Sequence, residues 1–446
     1  MAHRGEGKAQ GGQGRRRLAE GLPRQQKVAP RRRPGAVLLA SSLVVGASIA
    51  SGAPTVPSPS NEDCLTCHGE TDAKRADGRP IFVAKEKFAS SVHGQAGLAC
   101  VDCHTALAAS TEFPHPEKLA PAQCASCHAD VASEYARSVH AQARRREGAS
   151  LAATCADCHG MHDIRSPKDP SSPTYALNLP ATCARCHGNP DVIRRGHIAI
   201  GNVAALYEDS IHGRAVLKSG LVTAPNCKTC HGMHDIRRSS DPASLIFRGN
   251  VPSTCGSCHQ GIERLYQEGI HGTLLRQGDK RAPVCTDCHT AHHIQQADVE
   301  AWRLDVVKEC GNCHAESRET FRDTYHGQVT NLGFARIATC SDCHRAHDIH
   351  PAADPRSTVS TTGRVATCQK CHPGTNEKFA RYDPHPDPKR RARNPLLFYA
   401  AIFMKWLLVG VMAFFGLHTV LWFPRSWRAR REGNAEKPPP REGEKR

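Results

Sequence analysis

The residues with the most chemistry in them are 22 cysteines and 27 histidines. The cysteines fall into eleven Cys-x-x-Cys pairs, and a histidine follows each pair at once: Cys64-Cys67-His68, Cys100-Cys103-His104, Cys124-Cys127-His128, Cys155-Cys158-His159, Cys183-Cys186-His187, Cys227-Cys230-His231, Cys255-Cys258-His259, Cys285-Cys288-His289, Cys310-Cys313-His314, Cys340-Cys343-His344 and Cys368-Cys371-His372. Two thiols at this spacing form thioether links to a porphyrin edge, and the adjacent imidazole is then held beneath the iron as its proximal ligand. A zinc ribbon also pairs cysteines but does not need histidine straight after the second. Eleven pairs out of eleven rule out coincidence and predict eleven covalently attached haem c groups, each with its iron.

Sixteen histidines remain. The motifs alternate between two kinds. The leading kind holds His68, His128, His187, His259, His314 and His372, and each is followed at a distance by one further histidine: His93, His140, His212, His271, His326 and His385. The trailing kind holds His104, His159, His231, His289 and His344. Four of these continue as Cys-His-x-x-His, supplying His162, His234, His292 and His347. In the first trailing motif Leu107 stands where that histidine would be, and the next histidine is His115. Eleven second ligands for eleven irons predict low-spin iron with imidazole on both faces, leaving His3, His197, His293, His350 and His418 over. Such iron shuttles single electrons and has no open position for a substrate. Two histidines three apart on a helix lie on one side of it, about 4.5 Å apart along the axis. They cannot reach opposite faces of one porphyrin, so the second must serve a different haem, and a closely spaced array is expected.

Ligands need elements to hold them. Five residues before the second histidine stand Phe88, Tyr135, Tyr207, Tyr266 and Phe321, and one residue before it Val92, Val139, Ile211, Ile270 and Tyr325. Positions four apart share a helix face, so each segment predicts a short amphipathic helix with a histidine at its end. Gly94, Gly213, Gly272 and Gly327 follow directly, where a missing Cβ lets backbone approach a flat cofactor. The chain thus reads as five two-motif repeats and a final leading motif, with Pro-, Ser- and Gly-rich linkers at 167–180 and 354–363. Residues 51–388 supply about 31 residues per haem, too few for a conventional apolar core. The expected fold class is mostly α with extensive irregular structure, repeat-built with haems as the core, plus one C-terminal transmembrane helix.

The chain ends agree. Residues 1–35 are basic, and a short apolar run from Ala36 to Ala50 ends in small residues, which predicts a secretory signal peptide over 1–50. Leu396 to Phe423 is apolar except for Lys405 and His418, long enough to span a bilayer, with Trp406, Trp422 and Trp427 as interface anchors. Basic clusters flank it on both sides, so the haem motifs, which are loaded outside the cytoplasm, decide topology. The expected layout is a periplasmic haem domain over 51–388, a basic juxtamembrane segment and membrane helix over 389–423, and a basic cytoplasmic tail over 424–446. The protein would be single-pass in the inner membrane. An ionisable residue within such a helix makes His418 a candidate b-haem ligand or quinone neighbour. The net charge of +16 resides in the two ends, because residues 51–388 carry 36 basic and 37 acidic side chains. Nothing suggests nucleic acid, and haem propionates would make the domain acidic enough to suit a basic soluble partner.

With these residues in view, the chain resembles the multihaem cytochromes c with doubled Cys-x-x-Cys-His repeats, over about 64–385. The resemblance implies a periplasmic or extracellular electron carrier of anaerobic respiration rather than an enzyme. The segment Gly416 to Arg425 looks like a helix of membrane cytochrome b subunits, which exchange electrons with quinones. The expected partners are therefore a quinol-oxidising or cytochrome b-type membrane subunit on one side and periplasmic or outer-membrane redox proteins on the other. The alternative is a multihaem nitrite, hydroxylamine or sulfur-oxyanion reductase with one open iron, often marked by Lys in place of the motif His. No such motif occurs here.

Overall fold

A computed structural model describes residues 58–147 and 151–435; the expected signal peptide lies outside them. Among the described residues there are helices and turns but no strand, only an isolated bridge between Lys74 and Pro80. Outside the C-terminal segment the longest helix is Glu300–Cys313. Among the described residues the buried apolar side chains are chiefly Ala and Val, with Tyr266 and Phe321 the large ones and no Leu or Ile. At about 25 cal/mol per Å² of apolar surface, so few small side chains cannot hold a domain of this size on their own. The fold is mostly α with extensive irregular structure, as the sequence predicts.

The histidine-delivering segments are built differently from the expected single helix. In each, one helix ends and a second starts immediately, with the histidine as the second residue of the new one. The pairs are Lys85–Ala89 with Val92–Gln95, Ala129–Ala136 with Val139–Glu147, Val203–Asp209 with Ile211–Leu217, Gln260–Glu268 with Ile270–Arg276, and Ala315–Arg322 with Tyr325–Asn331. In four of the five the break falls at a buried hydroxyl residue, Ser91, Ser138, Ser210 or Thr324, and in the fifth at Gly269. Each hydroxyl accepts from the N–H three residues on, of Gly94, Ala141, Gly213 or Gly327, at 2.9–3.1 Å. That is N-cap chemistry, which a helix interior does not need. The glycines answer to the same corner. A Cβ on Gly213 would collide with the Tyr207 carbonyl of the preceding helix, and one on Gly327 with that of Phe321.

The trailing motifs form one-turn helices such as Cys155–His159, Cys285–His289 and Cys340–His344. In four of the five the third helical residue is Asp, and its carboxylate accepts from the N-cap N–H: Asp102 from Ala99, Asp157 from Thr154, Asp287 from Val284 and Asp342 from Thr339, at 2.6–2.8 Å. Thr229 does the same for Asn226. The turn ends at the motif histidine, because the next residue has positive φ: Gly160 and Gly232 at 84°, Thr290 at 61° and Arg345 at 67°. The two histidines of Cys-His-x-x-His therefore do not share a helix, contrary to the sequence expectation; the left-handed step turns the chain and sends the second elsewhere.

Consecutive repeats are stapled by one recurring backbone bond. The residue before the delivered histidine donates to an isoleucine carbonyl two residues past the second histidine of Cys-His-x-x-His in the following repeat: Val92 to Ile164, Val139 to Ile236, Ile211 to Ile294 and Ile270 to Ile349, at 2.7–2.9 Å. The expected linkers are built loops: Ser172 and Ser357 are buried and donate to the carbonyls of Arg165 and His350. Ser244, in a loop that the sequence does not single out, does the same to the Arg237 carbonyl. The C-terminal helix runs Pro395–Ala435, straight through Pro424, further than the apolar stretch itself. Within Pro395–Glu432 an 18-residue stretch has mean hydropathy 2.0 and no buried part, so the helix is long and apolar enough to cross a membrane.

Candidate haem-binding sites

Every motif histidine faces one other histidine. The ring pairs are His68 with His115, His104 with His162, His128 with His93, His159 with His234, His187 with His140, His231 with His292, His259 with His212, His289 with His347, His314 with His271, His344 with His385 and His372 with His326. All ring centres stand 6.0–6.3 Å apart. Two metal–imidazole bonds of about 2 Å on opposite sides of one ion give ring centres about 6 Å apart. Direct stacking or hydrogen bonding would bring the rings closer. Among the described residues no group of three or more His, Cys, Asp and Glu is placed to hold a bare metal ion. Two imidazoles with a pair of free thiols beside one of them suit a planar metal macrocycle, which brings its own equatorial nitrogens.

The pairing follows a rule. The helix-delivered histidine of one repeat faces the leading motif of the next: His93 reaches His128, and so on to His326 at His372. The trailing second histidine faces the trailing motif of the repeat before: His162 reaches His104, and so on to His347 at His289. Two histidines depart from their sequence grouping. His115, grouped with trailing motifs, faces the leading His68, which has no repeat before it. His385, grouped with leading motifs, faces the trailing His344, which has no full repeat after it. The rule also explains Leu107: a histidine there would have no earlier trailing motif to meet. Of the histidines left over, His293 holds Asp209 at 3.0 Å, His350 lies 3.7 Å from Asp354, His197 is exposed, and His418 sits exposed on the C-terminal helix. His3 lies outside the described residues.

Hydrogen bonds fix ring orientation where they occur. His68 Nδ1 donates to the Ile81 carbonyl at 2.8 Å and His115 Nδ1 to that of Pro116 at 2.9 Å, leaving Nε2 free on both. His385 Nδ1 meets the Ser317 carbonyl at 3.1 Å and the Thr320 hydroxyl at 3.2 Å. Such outer partners hold a ligating imidazole in one tautomer and raise its basicity. Burial is the main reason that fourteen of the paired imidazoles lie below their ordinary value near 6.5. Neutral imidazole, the form that ligates metals, is thus favoured at neutral pH.

The thiols order the sites. Within each repeat the first cysteine of the leading motif meets that of the trailing motif: Cys64 with Cys100, Cys124 with Cys155, Cys183 with Cys227, Cys255 with Cys285 and Cys310 with Cys340. Between repeats the second trailing cysteine comes near the next leading pair, as Cys230 does to Cys255 and Cys258. The eleven sites thus form one unbranched row in chain order.

The sequence places the aromatics of the delivering helices but not the role of their hydroxyls. The hydroxyls of Tyr135, Tyr207 and Tyr266 donate to the carbonyls of Ala153, Pro225 and Pro283, each two residues before a trailing motif, and so tie the delivering helix to that motif. The signal was present: Tyr recurs where Phe would serve for packing alone. The Asp caps were likewise visible as Cys-x-Asp-Cys-His. Trp302, stacked on His289, belongs to no recurring pattern.

The cytochrome c3 family profile matches residues 92–188. These residues contain four whole motifs, including both motifs of the second repeat. The cytochrome c-type protein NrfB of Escherichia coli O6:H1 is 26% identical over 164 residues, 35% of this chain. The chain spans 65% of that relative's length. No solved structure matches. The motifs and both matches relate the chain to multihaem c-type cytochromes.

Proposed function

We propose that this multihaem c-type cytochrome is a membrane-anchored periplasmic electron carrier. It would pass electrons along eleven bis-histidine haems between a quinol-linked membrane partner and a periplasmic or outer-membrane acceptor in anaerobic respiration. One observation carries this reading: all eleven motif histidines face a second imidazole at a spacing that fits one intervening ion. Haem iron supplies a reversible one-electron change. The chain's own contribution would be to hold each haem between the two facing imidazoles, an arrangement that supports a carrier over a reductase needing an open iron.

The order of thiols supports a wire rather than scattered centres. The membrane end is supported by the tie between the juxtamembrane segment and the last full repeat. Lys389 pairs with Glu319 and Arg390 with Glu316, each at 2.6 Å, and Arg393 pairs with Asp383 at 2.9 Å. The helix starting at Pro395 thus leaves from the part of the domain that holds the final sites. A quinol-oxidising partner in the membrane would meet the row there, and the first site would be the distal exit.

Haem counting and spectroscopy test this on the full-length chain in detergent. The expected intact mass includes eleven haems, and the expected oxidised EPR spectrum is low-spin throughout. A substantially lower haem count, or a high-spin signal in the oxidised protein that shifts on adding nitrite, would replace the carrier by an enzyme.

A further inference from the structure

We propose that the first site is an exchangeable coordination position, at which a diatomic ligand of ferrous iron displaces His115. This rests on the ligand reading above and concerns how firmly each second imidazole is held.

Ten of the eleven second imidazoles sit in anchored structure. The delivered histidines of the five repeats begin helices, four of them capped by buried Ser or Thr, and four are preceded by the backbone staple to the next repeat. The trailing ones stand two residues before the isoleucine that accepts that staple. His385, though outside a helix, is gripped by Ser317 and Thr320 from another helix, and its N–H donates to Asp383.

His115 has none of this. It lies between Leu107 and Cys124 in a stretch without helix, and among the described residues 111–122 make no backbone–backbone hydrogen bond. Pro114, Pro116 and Pro121 remove three of the donors that could make one. The ring's hydrogen bond goes to the carbonyl of its own neighbour Pro116, so it orients the imidazole without tying the loop to anything else. The hydrogen bond that reaches another segment from this stretch is Ala76 N–H to the Glu117 carboxylate, at 3.2 Å. Phe113 and most of its neighbours are exposed. Segments with few buried contacts and solvent-facing backbone open at the low end of the local free-energy range. Swinging this loop away would break one iron–nitrogen bond and one hydrogen bond, whereas releasing any other second imidazole would unmake a helix start, an inter-repeat staple or, for His385, its hydrogen bonds to Ser317 and Thr320.

The exchange balances simply. The neutral imidazole of His115 leaves with its lone pair, and a two-electron donor such as carbon monoxide takes its place, with no net oxidation. His68 stays as the ligand on the other face, held by the Ile81 carbonyl. The other ten sites stay saturated, so the change is confined to the first site.

The test is carbon monoxide added to the fully reduced, full-length protein, with uptake read from the Soret band. The expected result is one carbon monoxide per chain. Glu117→Ala, which cuts the outside tie but leaves the imidazole, should speed uptake without changing that stoichiometry. His115→Ala should show one high-spin haem before any ligand is added. No uptake by the unmodified protein overturns exchange, as does uptake that Glu117→Ala fails to accelerate. If His115→Ala keeps all its haems low-spin, the assignment of His115 as ligand is itself wrong. Several high-spin haems in the unmodified oxidised protein would instead sink the saturated-iron reading of the whole row.

Discussion

The indole of Trp302 lies flat against the imidazole of His289, ring centres 4.9 Å apart and planes within 9°. Trp302 belongs to the helix Glu300–Cys313, which also presents the next leading motif, so one aromatic contact joins the scaffolds of two consecutive sites. Trp302→Ala should cost about 2 kcal/mol, the worth of a half-buried aromatic. It should also alter the EPR signal of a single low-spin haem, since the freed imidazole can rotate. Denaturant titration and EPR on the same sample check both. A stability loss without any spectral change would mean the ring only packs.

The Tyr207 hydroxyl donates to the Pro225 carbonyl at 2.9 Å in a half-buried setting. Burial also pushes this phenol well above its ordinary value, so it stays a donor at any practical pH. Tyr207→Phe removes the bond and keeps the ring. The expected cost is about 1 kcal/mol, that of a neutral hydrogen bond whose acceptor is left behind. A shifted urea midpoint with unchanged haem content is the outcome to look for.

Gly232 takes φ 84° directly after the motif His231. A Cβ there would meet Asp235 at only ordinary contact distance, so space is not the difficulty. The backbone is, and Gly232→Ala should cost about 1–3 kcal/mol. Thr290 and Arg345 hold the same left-handed step without glycine, so Thr290→Gly should instead be neutral or stabilising. Opposite signs at the two positions in thermal unfolding would identify the turn itself as the requirement.

Acid should weaken the fold through its imidazoles. Burial keeps rings such as His231 and His140 below the ordinary 6.5 when folded, so between the folded value and 6.5 the unfolded chain binds more protons. Stability then rises with pH across that window, is fully present above it, and is lost as pH falls through it. Iron competing for the same nitrogen widens the window downward. Urea midpoints taken from roughly pH 8 to pH 5 should be flat at first and then decline. A midpoint that improves on acidification would contradict the buried neutral rings.

How much of this was legible beforehand depends on whether the information is local. The repeat, the thiol pairs, the mostly helical class and the apolar C-terminal span could be read because each is a spacing along the chain. The Ser138 and Ser210 caps were also local, two residues before His140 and His212, but they were overlooked in favour of an uninterrupted helix. Which ring faces which was not readable. His162 and His159 are near neighbours in sequence, yet they face His104 and His234 in two different repeats, and no spacing rule encodes a partner one repeat away. The left-handed step that separates them is signalled by Gly160 and Gly232 but masked by Thr290 and Arg345. Trp302 occurs once, so no pattern could announce it.

The two-way exchange of histidines across every repeat boundary bears on how such a chain could grow. A whole repeat copied in tandem would hand one imidazole onward and one back, and so arrive already matched on both sides. Only the termini need bespoke solutions, and His115 and His385 are those two improvisations. Length could therefore be adjusted in steps of two cofactors without redesigning anything between the ends, while removal of half a repeat would leave mismatched partners on either side of the cut.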